Sequence, residues 1–244
     1  MAEIICGKQA IREALRAGRR VRRVLVAGSA RETAPLRDLL ALAAERHVPV
    51  QTVERAALDR LADHHQGVAA EVEPYPYCDF AELLRATRAA TPPLYLVLDS
   101  LQDPQNFGTL LRTAAAVGVT GVVLPEHHAV GVTPGVRRAS AGAVEHLRVA
   151  RVTNLVRALE QLKAAGVWIV GLDAHAAKPY DAVDACGPTA VVVGSEEQGL
   201  RRLVRECCDF LVAVPMEPAL DSLNAAVAGS LVLYAYYRQR HRTG

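Results

Sequence analysis

The feature that most constrains the fold is a series of nearly unbroken apolar runs in the second half of the chain: LYLVLDS from Leu94, TGVVLP from Thr120, VWIVGLD from Val167, AVVVGSE from Ala190 and DFLVAVPM from Asp209. A strand with one wet face alternates apolar and polar residues, so strands this uniformly apolar are buried on both faces. Helical patterns such as NLVRALEQLKAAG fall between them, which predicts a parallel sheet covered by helices on both sides. A last helix is expected from Ser222 to about Arg240.

The first part reads as a smaller α/β unit. Lys8–Ala17 has the spacing of an amphipathic helix, VRRVLVAG of a strand, Pro35–Arg46 of a helix, VPVQTV of a strand, RAALDRLAD of a helix and QGVAAEV of a strand. PYPYCDFAELLRATRAATPP, with prolines at both ends, has the character of a linker around a short helix. The expected division is residues 1–74, a linker 75–93 and a larger domain 94–244.

Several classes are excluded or disfavoured. No G-x-G-x-x-G follows the first strand of the larger domain and no G-x-x-x-x-G-K-[ST] occurs, which argues against an ordinary dinucleotide or P-loop enzyme. The run Leu223–Tyr237 is too short to span a bilayer. The N-terminus lacks a secretory pattern, and five irregularly spaced cysteines suit a reducing compartment, so a cytoplasmic protein with no membrane partner and no metal is expected. Cys207 and Cys208 read as small apolar residues at a helix end. A net charge of +2 does not announce a nucleic-acid partner. The AGRRVRR stretch nevertheless groups Arg19, Arg20, Arg22 and Arg23 where they could contact phosphate or simply be solvated.

Three segments sit where strands end, the favoured place for ligands in open α/β sheets. In DPQNFGTLLRTAAAVG, Asn106 is a plausible helix N-cap, and Phe107, Leu110, Leu111, Ala114 and Val117 share one face. Arg112 leaves that face among Gly108, Thr109, Ala115 and Ala116, which suggests a surface covered by another protein chain. In VVVGSEEQGL, Gly194 permits close backbone approach, Ser195 could cap a helix, and Glu196 and Glu197 could complement its dipole. In VPMEPALDSLNAAVAGS, Ser222 suits a cap, while Asn224 is an unfavourable choice inside a first helical turn.

Together and in this order, DPQNFGTLLR, GSEEQG and PM followed by SLN resemble the three signature motifs of the SpoU/TrmH family of RNA 2′-O-ribose methyltransferases. HHQGVAAEV and VTPGVRRASAGAVEHLRV are similar to the family as well. The resemblance implies a SPOUT-type parallel sheet threaded into a trefoil knot, preceded by a small α/β RNA substrate-binding domain. It implies S-adenosylmethionine as methyl donor, held at Gly194, Val214 and Leu223. It further implies a homodimer in which Arg112 is catalytic, with Asn106, Glu196, Ser222 and Asn224 as further site residues. Family members acting on transfer RNA often lack the N-terminal domain, which points to a guanosine of large-subunit ribosomal RNA. A transfer-RNA enzyme, or a non-catalytic RNA-binding or assembly factor, stands as the alternative. One departure is visible: the family usually continues Val-Ser after SLN, where this chain has Ala225-Ala226.

Overall fold

The computed structural model describes residues 2–85, 92–217 and 222–241. The far part of the expected linker, 86–91, and the second proline of the third segment, Pro218, lie outside the described residues. The chain forms two compact units, Met1–Pro76 with Val132–His146, and Tyr77–Gly131 with Leu147–Gly244.

The first unit carries β1 (Glu3–Cys6), α1 (Lys8–Arg16), β2 (Val21–Ala27), α2 (Ala34–Glu45), β3 (Val50–Val53), α3 (Arg55–Asp59) and β4 (Val68–Val72). Its sheet runs β1-β4-β2-β3, with β2 and β3 parallel and the other pairs antiparallel. Alternation divides the sheet between two cores. Val24 joins Ile11, Leu15 and Leu39 beneath α1 and α2, whereas its neighbour Leu25 joins Leu58 of α3. The short β1 has no signature in the expected pattern, yet it pairs along its whole length with β4.

The second unit begins with α4 (Phe80–Arg85), β5 (Leu94–Leu98), α5 (Pro104–Ala116) and β6 (Gly121–Pro125). Next come α6 (Pro134–Ala139) and a tight turn at Ala143–His146, both belonging to the first unit. The second unit resumes with β7 (Val149–Val152), α7 (Leu155–Ala164), β8 (Trp168–Leu172), the two-residue β9 (Lys178–Pro179), β10 (Thr189–Val193), α8 (Arg202–Cys207), β11 (Phe210–Ala213) and α9 (Ala225–Arg240). All pairs in the sheet β7-β6-β5-β10-β8-β11-β9 are parallel. Every residue of β5, β6 and β10 is buried, as their apolar runs require.

Helices cover both faces of this sheet. Tyr95, Val97, Ala190 and Val192 pack with Leu83 of α4, Leu155, Leu159 and Leu162 of α7 and Val204 of α8. On the other face α9 lies so close that a Cβ on Gly229 would sit 2.6 Å from Leu110 of α5 and 3.0 Å from Val193. A larger residue there would force the Leu110 and Val193 side chains to shift. The Thr113 and Ser230 hydroxyls hydrogen-bond across the same helix pair at 2.9 Å. The far end of α9 is tied down by Arg240, which donates to the carbonyls of Ala185, Pro92, Pro93 and Gly187.

Val132–His146 is held within the first unit by buried charge. Arg137 and Glu145 are both buried and lie 3.2 Å apart, Arg137 also faces Glu3 at 3.4 Å, and Arg19 donates to Glu145 from the other side at 2.9 Å. Gly142, at φ +82°, brings this segment against α1, where a Cβ would stand 3.0 Å from the backbone of Ala10.

Candidate active site

The sheet's strand order reverses at the β5/β10 junction, and the polar segments gather at the carboxyl ends there. The helix starts differ from expectation in an instructive way. Asp103, not Asn106, caps α5: its carboxylate accepts from the Gln105 and Asn106 N–H groups at 3.2 and 3.0 Å, with Pro104 filling the first helical position. Relieved of capping, the Asn106 amide donates to a Glu196 carboxylate oxygen. Its carbonyl accepts from the Asn224 side chain at 2.9 Å.

Asn224, not Ser222, caps α9. Its oxygen accepts from the Ala226 and Val227 N–H groups at 2.9 and 3.2 Å. The position that reads as an unfavourable helix residue is therefore the cap, and Ser222 stands exposed two residues before it. Ala226 is buried and its N–H is already bonded, so this helix start needs no serine hydroxyl at that position.

After β10 there is no helix at Ser195 to cap and no local dipole for Glu196 and Glu197 to complement. Ser195 and Gly199 instead exchange backbone hydrogen bonds at 3.1 and 3.0 Å, the Ser195 hydroxyl accepts from the Gln198 N–H, and α8 starts only at Arg202. A Cβ on Gly194 would collide with the backbone of Gly199 and come within 2.6 Å of the Leu200 nitrogen. Gly194 is thus required by the loop closing on itself.

This loop forms one wall of a cavity of about 460 Å³ whose other walls include Leu172, Val212, Val214, Ser222 and Leu223. Three polar residues of the lining, Asp173, His175 and Arg205, are absent from the sequence-based expectations. Asp173 and His175 follow the end of β8, so the strand-end rule used for the other segments could have found them. Arg205 pairs with Asp173 at 2.8 Å, and Asp173 also accepts from the His175 N–H.

Arg112 projects from the outward side of α5, exposed, and among the described residues it has no hydrogen-bond or ion-pair partner. The expected core face is observed: Phe107, Leu110, Leu111, Ala114 and Val117 are buried. Beside it α9 exposes Val227, Leu231 and Tyr234 at 46, 44 and 53 %, spaced to form one stripe.

The four arginines of the first unit divide. Arg19 is spent on Glu145, donating to its carboxylate and its carbonyl, and stacks on the Tyr75 ring. Arg20 and Arg22 are exposed beside Glu73 at 3.3 and 3.8 Å. Arg23 reaches Gln51 and Glu71, and this hydrogen bond holds the Glu71 carboxyl below its usual range. Cys207 is half-buried, and burial pushes the Cys208 thiol up to about 12, reinforced by Cys207 and Asp209. Among the described residues no group of three His, Cys, Asp or Glu is placed to hold a metal, and no helix is long and apolar enough to cross a membrane.

A parallel sheet whose strand ends open on a half-open cavity, lined by aliphatic and polar side chains in similar share with the Glu196 carboxylate among them, has the form of an α/β ligand-binding protein. Residues 93–234 match the model of the SpoU rRNA Methylase family, and residues 4–78 match that for RNA 2′-O ribose methyltransferase substrate binding. The TrmH family tRNA/rRNA methyltransferase YacO of Bacillus subtilis (strain 168) is 41 % identical over 99 % of this chain and 98 % of its own. The SpoU methyltransferase AviRb from Streptomyces viridochromogenes superposes with a TM-score of 0.82 at 28 % identity, covering 98 % of this chain and 90 % of that one. Its complex with the cofactor AdoMet gives 0.81 at 27 % identity, covering 97 % and 90 %. The chain belongs to the SpoU/TrmH family of S-adenosylmethionine-dependent RNA methyltransferases. Its cavity fits that donor: the volume is of the right order, Leu172, Val212, Val214 and Leu223 offer apolar contact to a purine, and Asp173, Glu196 and Ser222 offer polar atoms.

Proposed function

We propose that this protein methylates the ribose 2′-hydroxyl of a guanosine in large-subunit ribosomal RNA, working as a homodimer in the cytoplasm. The observation that carries the proposal is the hydrogen-bonded meeting of Asn106, Glu196 and Asn224, from three distant segments, with Glu196 in the wall of the cavity. Gly194, Val214 and Leu223 hold the donor there, the glycine by backbone approach and the other two by apolar contact. When bound, the donor supplies a methyl group on a positively charged sulfur, open to in-line attack by an oxygen.

The residues around it position the nucleophile, and such positioning can supply much of the acceleration. Arginine stays protonated up to a pH of about 12, so Arg112 is no general base. It clamps the phosphate next to the target ribose and directs the hydroxyl, whose proton leaves to water. Ser222, exposed at the cavity, and the Asn106–Glu196–Asn224 chain orient the sugar.

The dimer reading is supported by the outward side of α5 and α9, where Val227, Leu231 and Tyr234 lie near a helix whose one charge is Arg112. Pairing two copies there would bury the apolar stripe and deliver Arg112 to the partner's donor. The trefoil knot is part of this reading through membership of the family. In the first unit Arg20, Arg22 and Arg23 are the surface cations suited to RNA phosphates, with Arg19 holding the fold. The presence of this substrate-binding domain favours ribosomal over transfer RNA.

The test is methyl transfer to ribosomal and to transfer RNA followed by mapping of the modified nucleotide. Modification of ribosomal RNA alone is expected, and transfer-RNA modification would replace the substrate assignment. Arg112→Ala should lower turnover at least a hundredfold with donor binding intact; unchanged turnover would remove the residue from the mechanism. Absence of calorimetric donor binding by the unaltered chain would turn the reading towards a non-catalytic RNA-binding factor.

A further inference from the structure

Asp99 is a completely buried carboxylate that lines no part of the cavity. It follows directly on β5, where its N–H donates to the Val193 carbonyl at 2.8 Å and so extends the β5–β10 pairing to the edge of the loop. One carboxylate oxygen accepts from the backbone N–H of Arg201 at 2.7 Å and the other from the Arg201 Nε at 2.6 Å. The Ser100 hydroxyl adds a longer contact of 3.4 Å, and Ser100 itself takes the left-handed conformation at φ +63°. Both oxygens are thus directed at a single residue 102 positions away.

The cavity explains what this geometry accomplishes. Residues Gly194 to Leu200 line it without interruption, and the two ends of that stretch are fixed by different means. Gly194 is held because it continues β10. Leu200 has no strand to hold it; the next residue, Arg201, is gripped by Asp99 through main chain and side chain together. Two charge-assisted hydrogen bonds to a buried acceptor fix direction as well as distance. The same β5 terminus leads four residues later to the Asp103 cap and then to Asn106, whose partner Glu196 lies inside the gripped loop. Asp99 therefore relates both halves of the site to one strand end.

We infer that Asp99 and Arg201 are positioning residues that hold the Gly194–Leu200 loop in its donor-binding conformation without touching the donor. The inference rests on the assignment of that loop to the donor. Arg201 is the better residue to alter, since its side chain is nearly half exposed and its truncation leaves the main-chain bond to Asp99 in place.

The full chain is titrated with S-adenosylmethionine by calorimetry, and the KM values for donor and RNA are measured separately. Arg201→Ala is expected to raise the donor Kd and KM at least tenfold while leaving the RNA KM within twofold. Arg201→Lys, which keeps the cation, should recover part of the loss, and it carries the same comparison should the alanine variant not fold. A donor Kd within twofold of the unaltered protein, or a rise shared equally by the RNA KM, overturns the inference and leaves the pair a purely structural role. Gly194→Ala separates the two failures. Loss of donor binding in it beside normal binding in the Arg201 variants sinks this inference alone, whereas normal binding in Gly194→Ala sinks the donor-loop assignment as well.

Discussion

Two polar clusters in this molecule each join residues from distant segments and differ in kind. In the first unit Arg19, Arg137, Glu3 and Glu145 meet with Arg137 and Glu145 wholly buried. In the second, Asn106, Glu196 and Asn224 hydrogen-bond beside a cavity that Glu196 and Ser222 line, and Arg112, further along α5, is exposed with no ion-pair or hydrogen-bond partner among the described residues. The buried set pairs opposite charges but leaves Arg137 Nε and Nη1 and one oxygen each of Glu3 and Glu145 without a hydrogen bond among the described residues. The exposed set keeps hydrogen-bonding capacity towards solvent. Access to solvent, rather than complete hydrogen bonding, is thus what separates the cluster suited to chemistry from the one that holds the fold.

The sharpest way to break this comparison is to open the closed cluster. Glu145→Ala strands a buried Arg137 and should cost about 3–5 kcal/mol, lowering Tm by roughly 10 °C or more. A melting curve within two or three degrees of the unaltered one would show that the cluster does not hold the segment.

The exposed cluster can be divided internally. Asn224→Ala removes a helix cap and should cost about 1 kcal/mol, while Asn106→Ala, which caps nothing, should cost less than about 0.5 kcal/mol. Both should lower kcat/KM about tenfold or more, in line with losing hydrogen bonds to a charged network. Equal stability losses in the two variants would contradict the assignment of capping to Asn224.

The smallest effect concerns burial beneath the same sheet. With its thiol pushed from about 9 up to about 12 by burial, Cys208 is almost entirely neutral at pH 8 and should be alkylated at least tenfold more slowly than the exposed Cys186, whose own thiol is raised by its hydrogen bond with Asp184 but stays open to reagent. The sign is that of a raised acid: the stability contributed by the neutral thiol is complete below pH 9 and lost as pH rises towards 12. Comparable alkylation rates for the two cysteines at pH 8 would show that burial does not protect Cys208.

Much of the larger unit was legible because its strands are apolar throughout and its helices periodic, so each element announces itself locally. The face of α5 and the departure of Arg112 from it followed from spacing alone. The helix starts were less legible, since each offers two cap-forming residues close together. For α5 the deciding signal was present in Pro104, whose fixed φ suits the first helical position and so places the cap at Asp103. For α9 no such proline marks the first helical position, and Ser222 and Asn224 stand equally open as caps in the sequence. Of the four-residue strands, β3 and β11 are announced by the apolar residues around them in VPVQTV and DFLVAVPM, whereas β1 and β7 lack such a run. The attachment of Val132–His146 to the first unit rests on ion pairs between distant residues, which no local pattern encodes.

The ties that build the site all span great lengths of chain: Asn106 to Glu196 over 90 residues, Asp99 to Arg201 over 102, Asn224 to Asn106 over 118 and Arg240 to Pro92 over 148. Contacts of that span form only after the entropy of closing long loops has been met, so the site assembles late in folding. A chain emerging from the ribosome can fold its first strands and helices early, but it has no active site until its closing helix has docked.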